Sequence, residues 1–86
     1  MMFFLKSKFE RRFNRDIKTV SPKTPAELHQ YLQSRGWCYT GMFESDHRMI
    51  YHWDRKLSAV QEFEVFGTFD LQTGKLTIDK YRKKDD

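Results

Sequence analysis

Apolar positions repeat at two different periods along this chain, and the change falls near Trp37. Before it, Leu5, Phe9, Phe13, Ile17 and Val20 recur every three or four residues with cations between them, and no Gly or Pro interrupts the run. That spacing predicts an amphipathic basic helix over residues 3–20. Thr24-Pro25-Ala26-Glu27 reads as a second helix start, with Thr24 as N-cap, Pro25 at the first helical position and Glu27 closing a capping box. The second helix should run to about residue 35 with Leu28, Tyr31 and Leu32 inward and His29 on the outer surface. Gly36 supplies a left-handed stop that lets Trp37 fold back onto Leu32.

After Trp37 the pattern alternates. Residues 37–40 read as a strand, 41–44 as a turn or bulge, 47–54 as a second strand and 55–58 as a loop. Residues 60–70 form an apolar and aromatic third strand with Gly67 as a bulge, 71–74 a turn, and 75–81 the last strand. The expectation is an α+β fold, with an N-terminal basic helix and a second capped helix covering one face of a mostly antiparallel sheet of about four strands. Short connections favour pairing in sequence order. By this division residues 1–20 are a basic amphipathic arm that adds little to folding, 21–82 a single domain and 83–86 a frayed tail.

Charge changes the picture at one end only. The net charge is +4. Residues 1–20 carry six cations, Lys6, Lys8, Arg11, Arg12, Arg15 and Lys18, against Glu10 and Asp16, whereas residues 21–86 hold ten of each sign. A polyanion should therefore be attracted mainly to the first quarter of the chain. Such a helix can also simply cover a sheet with its charges solvated, or lie on a membrane surface or a partner.

One cysteine, Cys38, excludes an internal disulfide and a cysteine zinc cluster, and beside Trp37 it should be inert near the core. The opening apolar run is too short for a signal-peptide core, and no stretch approaches the roughly 20 apolar residues of a membrane span. These features suit a cytoplasmic protein with no membrane association.

The densest chemistry lies in Ser45-Asp46-His47-Arg48-Met49-Ile50-Tyr51-His52-Trp53-Asp54. As a strand it places His47, Met49, Tyr51 and Trp53 on one side and Arg48, Ile50, His52 and Asp54 on the other. His47 and His52 then face opposite ways, a poor geometry for a shared metal, and no metal or other cofactor is expected. Phosphate-loop and Ser or Cys nucleophile motifs are absent. What remains suits metal-independent RNA cleavage, which needs two proton-transfer groups and a cation for the phosphorane. His47 and His52 are the proton-transfer candidates, Asp54 and Glu64 the carboxylates, and Arg48 the phosphate contact. Tyr51 and Trp53, with the N-terminal cations, are the candidate RNA-binding residues.

Two resemblances lead the same way. Pro22-Lys23-Thr24-Pro25, Tyr39-Thr40-Gly41, Arg48-Met49-Ile50-Tyr51-His52-Trp53-Asp54, Glu64-Val65-Phe66 and Gly67-Thr68-Phe69-Asp70-Leu71-Gln72-Thr73-Gly74 stand in an order that resembles the ribosome-cleaving ribonuclease domain of colicins and cloacin. The resemblance implies a catalytic role for Asp54 and for Glu62 or Glu64. It places Leu57 where that family has a catalytic histidine, so His52 is the nearest substitute. Pro25 to Arg35, Gly36-Trp37 and Ser45-Asp46-His47 resemble the HicA-type mRNA interferases, which implies His47 as the catalytic group. Either resemblance implies a small toxin-type endoribonuclease acting on ribosomal or messenger RNA, with a cognate inhibitor or immunity protein as partner. The alternative is a non-catalytic RNA- or protein-binding module that uses the basic arm and sheet aromatics.

Overall fold

The structure is a computed structural model that describes residues 8–83. Two helices, α1 (Lys8–Val20) and α2 (Pro25–Ser34), precede four strands, β1 (Cys38–Ser45), β2 (Arg48–Lys56), β3 (Glu62–Asp70) and β4 (Leu76–Arg82). The strands form one sheet in sequence order, and every neighbouring pair is antiparallel. The fold is α+β, as the two periodicities imply.

The start and stop signals of α2 both act as read. Thr24 Oγ1 accepts from the Glu27 backbone N–H, and the Glu27 carboxylate accepts from the Thr24 N–H. At the other end Gly36 has φ 88°, and the Trp37 N–H returns to the Leu32 carbonyl at 3.0 Å.

The core lies between the helices and one face of the sheet. It contains Phe13 from α1, Leu28, Tyr31 and Leu32 from α2, and Trp37, Trp53, Phe63 and Val65. Phe9 and Ile17 pack against it. The division of residues 1–20 from the domain is therefore corrected for residues 8–20. Phe13 is only 6% exposed, so α1 is part of the core while its cations face water. Lys80 joins α1 to β4: its ammonium lies 3.1 Å from Glu10 and 5.2 Å from the Phe63 ring centroid.

Several strand details differ from expectation. β1 continues through residues 41–44, so of the turn or bulge expected there only a bulge-like register shift occurs, between Tyr39 and Gly41. The turn is Asp46-His47, where Asp46 takes φ 55°, a left-handed conformation that a short polar side chain tolerates. Gly67 sits in regular pairing with Tyr51 and Ile78 and is no bulge. Cys38 is exposed, because alternation from buried Trp37 turns it to the opposite face. His29 is half-buried and accepts the Trp53 indole N–H at 3.3 Å, so it is not a free surface residue. Lys83 is not frayed, since its N–H donates to the Glu62 carbonyl at 2.8 Å; the rest of the expected tail, like Lys6 and the start of the first helix, lies outside the described residues. Among the described residues no helix is long and apolar enough to cross a membrane.

Candidate functional site

Strand alternation decides which of the candidate residues meet. β2 turns Trp53 into the core, and its even-numbered residues face away from the helices. The β2–β3 register sets His52 opposite Phe66 and Asp54 opposite Glu64. Three chemical side chains are thereby gathered on the open face of the sheet.

His52 is the centre of the group. Its Nε2 lies 2.9 Å from Glu64 Oε2 and 3.3 Å from Asp54 Oδ1. A carboxylate only accepts, so the Glu64 contact requires an N–H at Nε2. On the other edge of the ring, Nδ1 meets Thr40 Oγ1, which also donates to the His52 carbonyl at 3.0 Å. The Phe66 ring stacks on the imidazole with centroids 4.6 Å apart, and Tyr81 meets Phe66 edge-on at 6.0 Å. Ring contacts on one side and hydrogen bonds at both nitrogens hold the imidazole in one orientation.

Asp54 lies inside β2, which runs on to Lys56, and is half-buried. Its side chain is 21% exposed, and Oδ1 is sealed from solvent at 3.3 Å from Nε2 without forming a hydrogen bond. Lys83 Nζ approaches Asp54 Oδ2 at 3.5 Å and Glu62 Oε2 at 3.3 Å. The bond to Glu62 raises the Lys83 pKa; partial desolvation opposes it, and the charges of Asp54 and Glu62 add to the rise.

The other two candidates lie elsewhere. His47 is in the β1–β2 turn, 3.4 Å from Asp70 Oδ2, and Arg48 pairs with Asp70 in the ladder. His47 and His52 are five positions apart, roughly 17 Å along a strand. Partial desolvation pushes the Asp70 carboxyl up, but N–H groups of Gln72 and Thr73, followed by His47 and Arg48, outweigh it and hold the carboxyl below its ordinary range. His47 and Arg48 therefore belong to a hairpin-end cluster and do not complete the His52 site.

The aromatic candidates are corrected. Trp53 is 1% exposed and Tyr51 packs against the core, so neither is a free stacking platform. Phe43 and Tyr81, both about half exposed, are the open-face aromatics in their place. Sequence reasoning missed Thr40, Phe66, Tyr81 and Lys83. Continuing the alternation from Tyr81 to Lys83 would have found the last, had Lys83 not been read as tail.

His52, Asp54 and Glu64 also offer one ligand atom each within 4.8 Å of one another. An imidazole and two carboxylates have the donor chemistry of a divalent cation site. The expectation of no metal considered only His47 with His52 and overlooked this trio. Fold and site together describe an α+β domain with a histidine–carboxylate centre on the open face of its sheet. No family model, curated protein or solved structure matches the chain.

Proposed function

We propose that this protein is a small endoribonuclease of toxin type, working in the cytoplasm on ribosomal or messenger RNA through His52, Glu64 and Asp54. The observation that carries the reading is the His52–Glu64 pair at 2.9 Å on the sheet face away from the helices, beside aromatic rings. The motif order resembling colicin-type ribonucleases supports it independently, and it favours Glu64 over Glu62 only in combination with the contact to His52.

In the proposed reaction a carboxylate, Glu64 or its neighbour Asp54, takes the proton of an RNA 2′-hydroxyl as the 2′-oxygen attacks phosphorus. The bond from phosphorus to the 5′-oxygen breaks, and the leaving oxygen takes the proton from His52 Nε2. The products are a 2′,3′-cyclic phosphate and a 5′-hydroxyl. Lys83 is the cation nearest this centre and replaces Arg48 as the group that meets the phosphorane charge. The exposed cations of α1, Lys8, Arg11, Arg12, Arg15 and Lys18, supply long-range attraction for the polyanion.

Purified protein incubated with total RNA, with and without EDTA, tests the proposal. Cleavage should persist in EDTA and fall at least about a hundredfold in His52→Ala and in Glu64→Gln, with RNA affinity little changed, as for lost acid–base groups. His47→Ala should leave cleavage within a few-fold. Loss of activity in EDTA would instead assign the same trio to a catalytic metal. Binding without cleavage would favour the non-catalytic binding module.

A further inference from the structure

On the helical side of the molecule, α1 and the end of α2 enclose a cleft of about 470 Å³, and four cations line it. Lys8 and Arg12 come from α1, Arg35 from the residue after α2, and Arg55 from β2. The one carboxylate in the lining is Asp16, and the Tyr31 hydroxyl donates to it at 3.4 Å. Among the described residues none of the four cations stands in an ion pair.

Two of the guanidinium groups are held by aromatic rings in place of carboxylates. Arg55 lies over Phe9 at 5.2 Å from the ring centroid, and Arg35 over Tyr31 at 5.6 Å. Arg55 also runs beside Gly36, where an added Cβ would sit 3.8 Å from its Nε. A ring beside each guanidinium neutralises none of its charge, and neither fork meets a carboxylate in an ion pair among the described residues. A basic surface that merely keeps a protein in solution has no need to gather four unpaired cations around one concavity.

We infer that this cleft binds a terminal phosphate group, the 5′-phosphate of a nucleotide or of a nucleic-acid end. A phosphomonoester carries about −1.5 to −2 charges at pH 7 in one compact group. A phosphodiester in the middle of a strand carries only one, which matches a concentrated cluster less well. Guanidinium forks bind phosphate oxygens in pairs, and a partly apolar lining strengthens such bonds by excluding water. The cleft's volume falls in the ordinary range of small-molecule sites, about 300–1,000 Å³, larger than a bare phosphate requires. The inference does not rest on ribonuclease activity, because the cleft lies across the sheet from His52.

The test is a calorimetric titration of the full chain with 5′-AMP, adenosine and pyrophosphate. A DNA decamer with and without a 5′-phosphate is titrated alongside, since it lacks the 2′-hydroxyl needed for cleavage. 5′-AMP should bind one-to-one where adenosine does not. Arg12→Gln and Arg35→Gln, both at exposed positions, should each weaken it by about tenfold or more, whereas Lys23→Gln, exposed in the connector and outside the cleft lining, should not. Thermal melts of the variants separate lost binding from lost folding. Pyrophosphate matching 5′-AMP would assign the site to small phosphates, and preference for the 5′-phosphorylated decamer would assign it to strand ends; both uphold the inference. Adenosine binding as well as 5′-AMP, Lys23→Gln weakening binding as much as Arg12→Gln, or no phosphate bound at all would each overturn it.

Discussion

At Gly67 the sheet backbone packs directly under Leu28 of α2. A Cβ built there would stand 2.6 Å from Leu28 Cδ2 and 3.3 Å from Trp53 Cζ3. Leu28 is fully buried and Trp53 nearly so, and neither can swing aside into solvent. Gly67→Ala should therefore cost about 1–3 kcal/mol, the usual penalty for one methyl too many in a filled core. Urea unfolding would measure it, and a neutral result would mean that α2 can ride outward on the sheet. The sequence shows a glycine in an apolar strand, which signals a bulge as readily as a close contact. Only the partner across the layer, Leu28, decides between them. His52 was equally ambiguous. Its position on a strand was legible, and so was the face it shares with Asp54. That Glu64 would lie beside it depended on the β2–β3 register, which no local signal fixes.

At the scale of elements, α1 is the part whose role changes most between sequence and structure. Its charge excess suggested an arm for polyanions, yet its apolar stripe at Phe9, Phe13 and Ile17 is what closes the core. Phe13→Ala should lower stability by about 3–5 kcal/mol. A protein of this size has total stability near the bottom of the usual 5–15 kcal/mol range. Deleting residues 1–20 should accordingly leave residues 21–86 unfolded, read by lost near-ultraviolet circular dichroism. A deletion protein with a cooperative melt would restore the arm reading. The second helix, by contrast, was legible to within a residue because Thr24, Pro25, Glu27 and Gly36 each perform a separate local task. Strand boundaries were less so. Alternation alone starts β2 at His47, but Asp46 accepts a left-handed backbone and the hairpin turns at that pair.

For the whole molecule, the two faces of the sheet carry different chemistry: His52 with two carboxylates on the open face and, on the helical side, four cleft cations that stand in no ion pair among the described residues. The pH dependence of stability tests the charge network that ties the hairpin ends together. The Asp70 carboxyl is held below its ordinary value of 3.8, against partial desolvation, by the N–H groups of Gln72 and Thr73 and by His47 and Arg48. A depressed folded pKa means that the unfolded chain binds the proton more readily. Its contribution is therefore complete above the ordinary carboxyl range and is lost as the pH falls through the lowered value. Lys83 works in the opposite direction at the other end of the sheet. Its raised pKa contributes fully below the ordinary value of 10.5, and that contribution is lost as the pH rises through the higher folded value. Stability should thus fall at both extremes, with different residues responsible. Asp70→Asn keeps an oxygen for Gln72 and Thr73 but cannot ionise. Its stability deficit against the natural chain should be present above the carboxyl range, then close as the pH drops towards about 2. Lys83→Met should leave that acid limb unchanged. Thermal melts across the pH range would show this, and a deficit in Asp70→Asn that stays constant to the lowest pH would mean that the ionised carboxylate adds nothing to the fold.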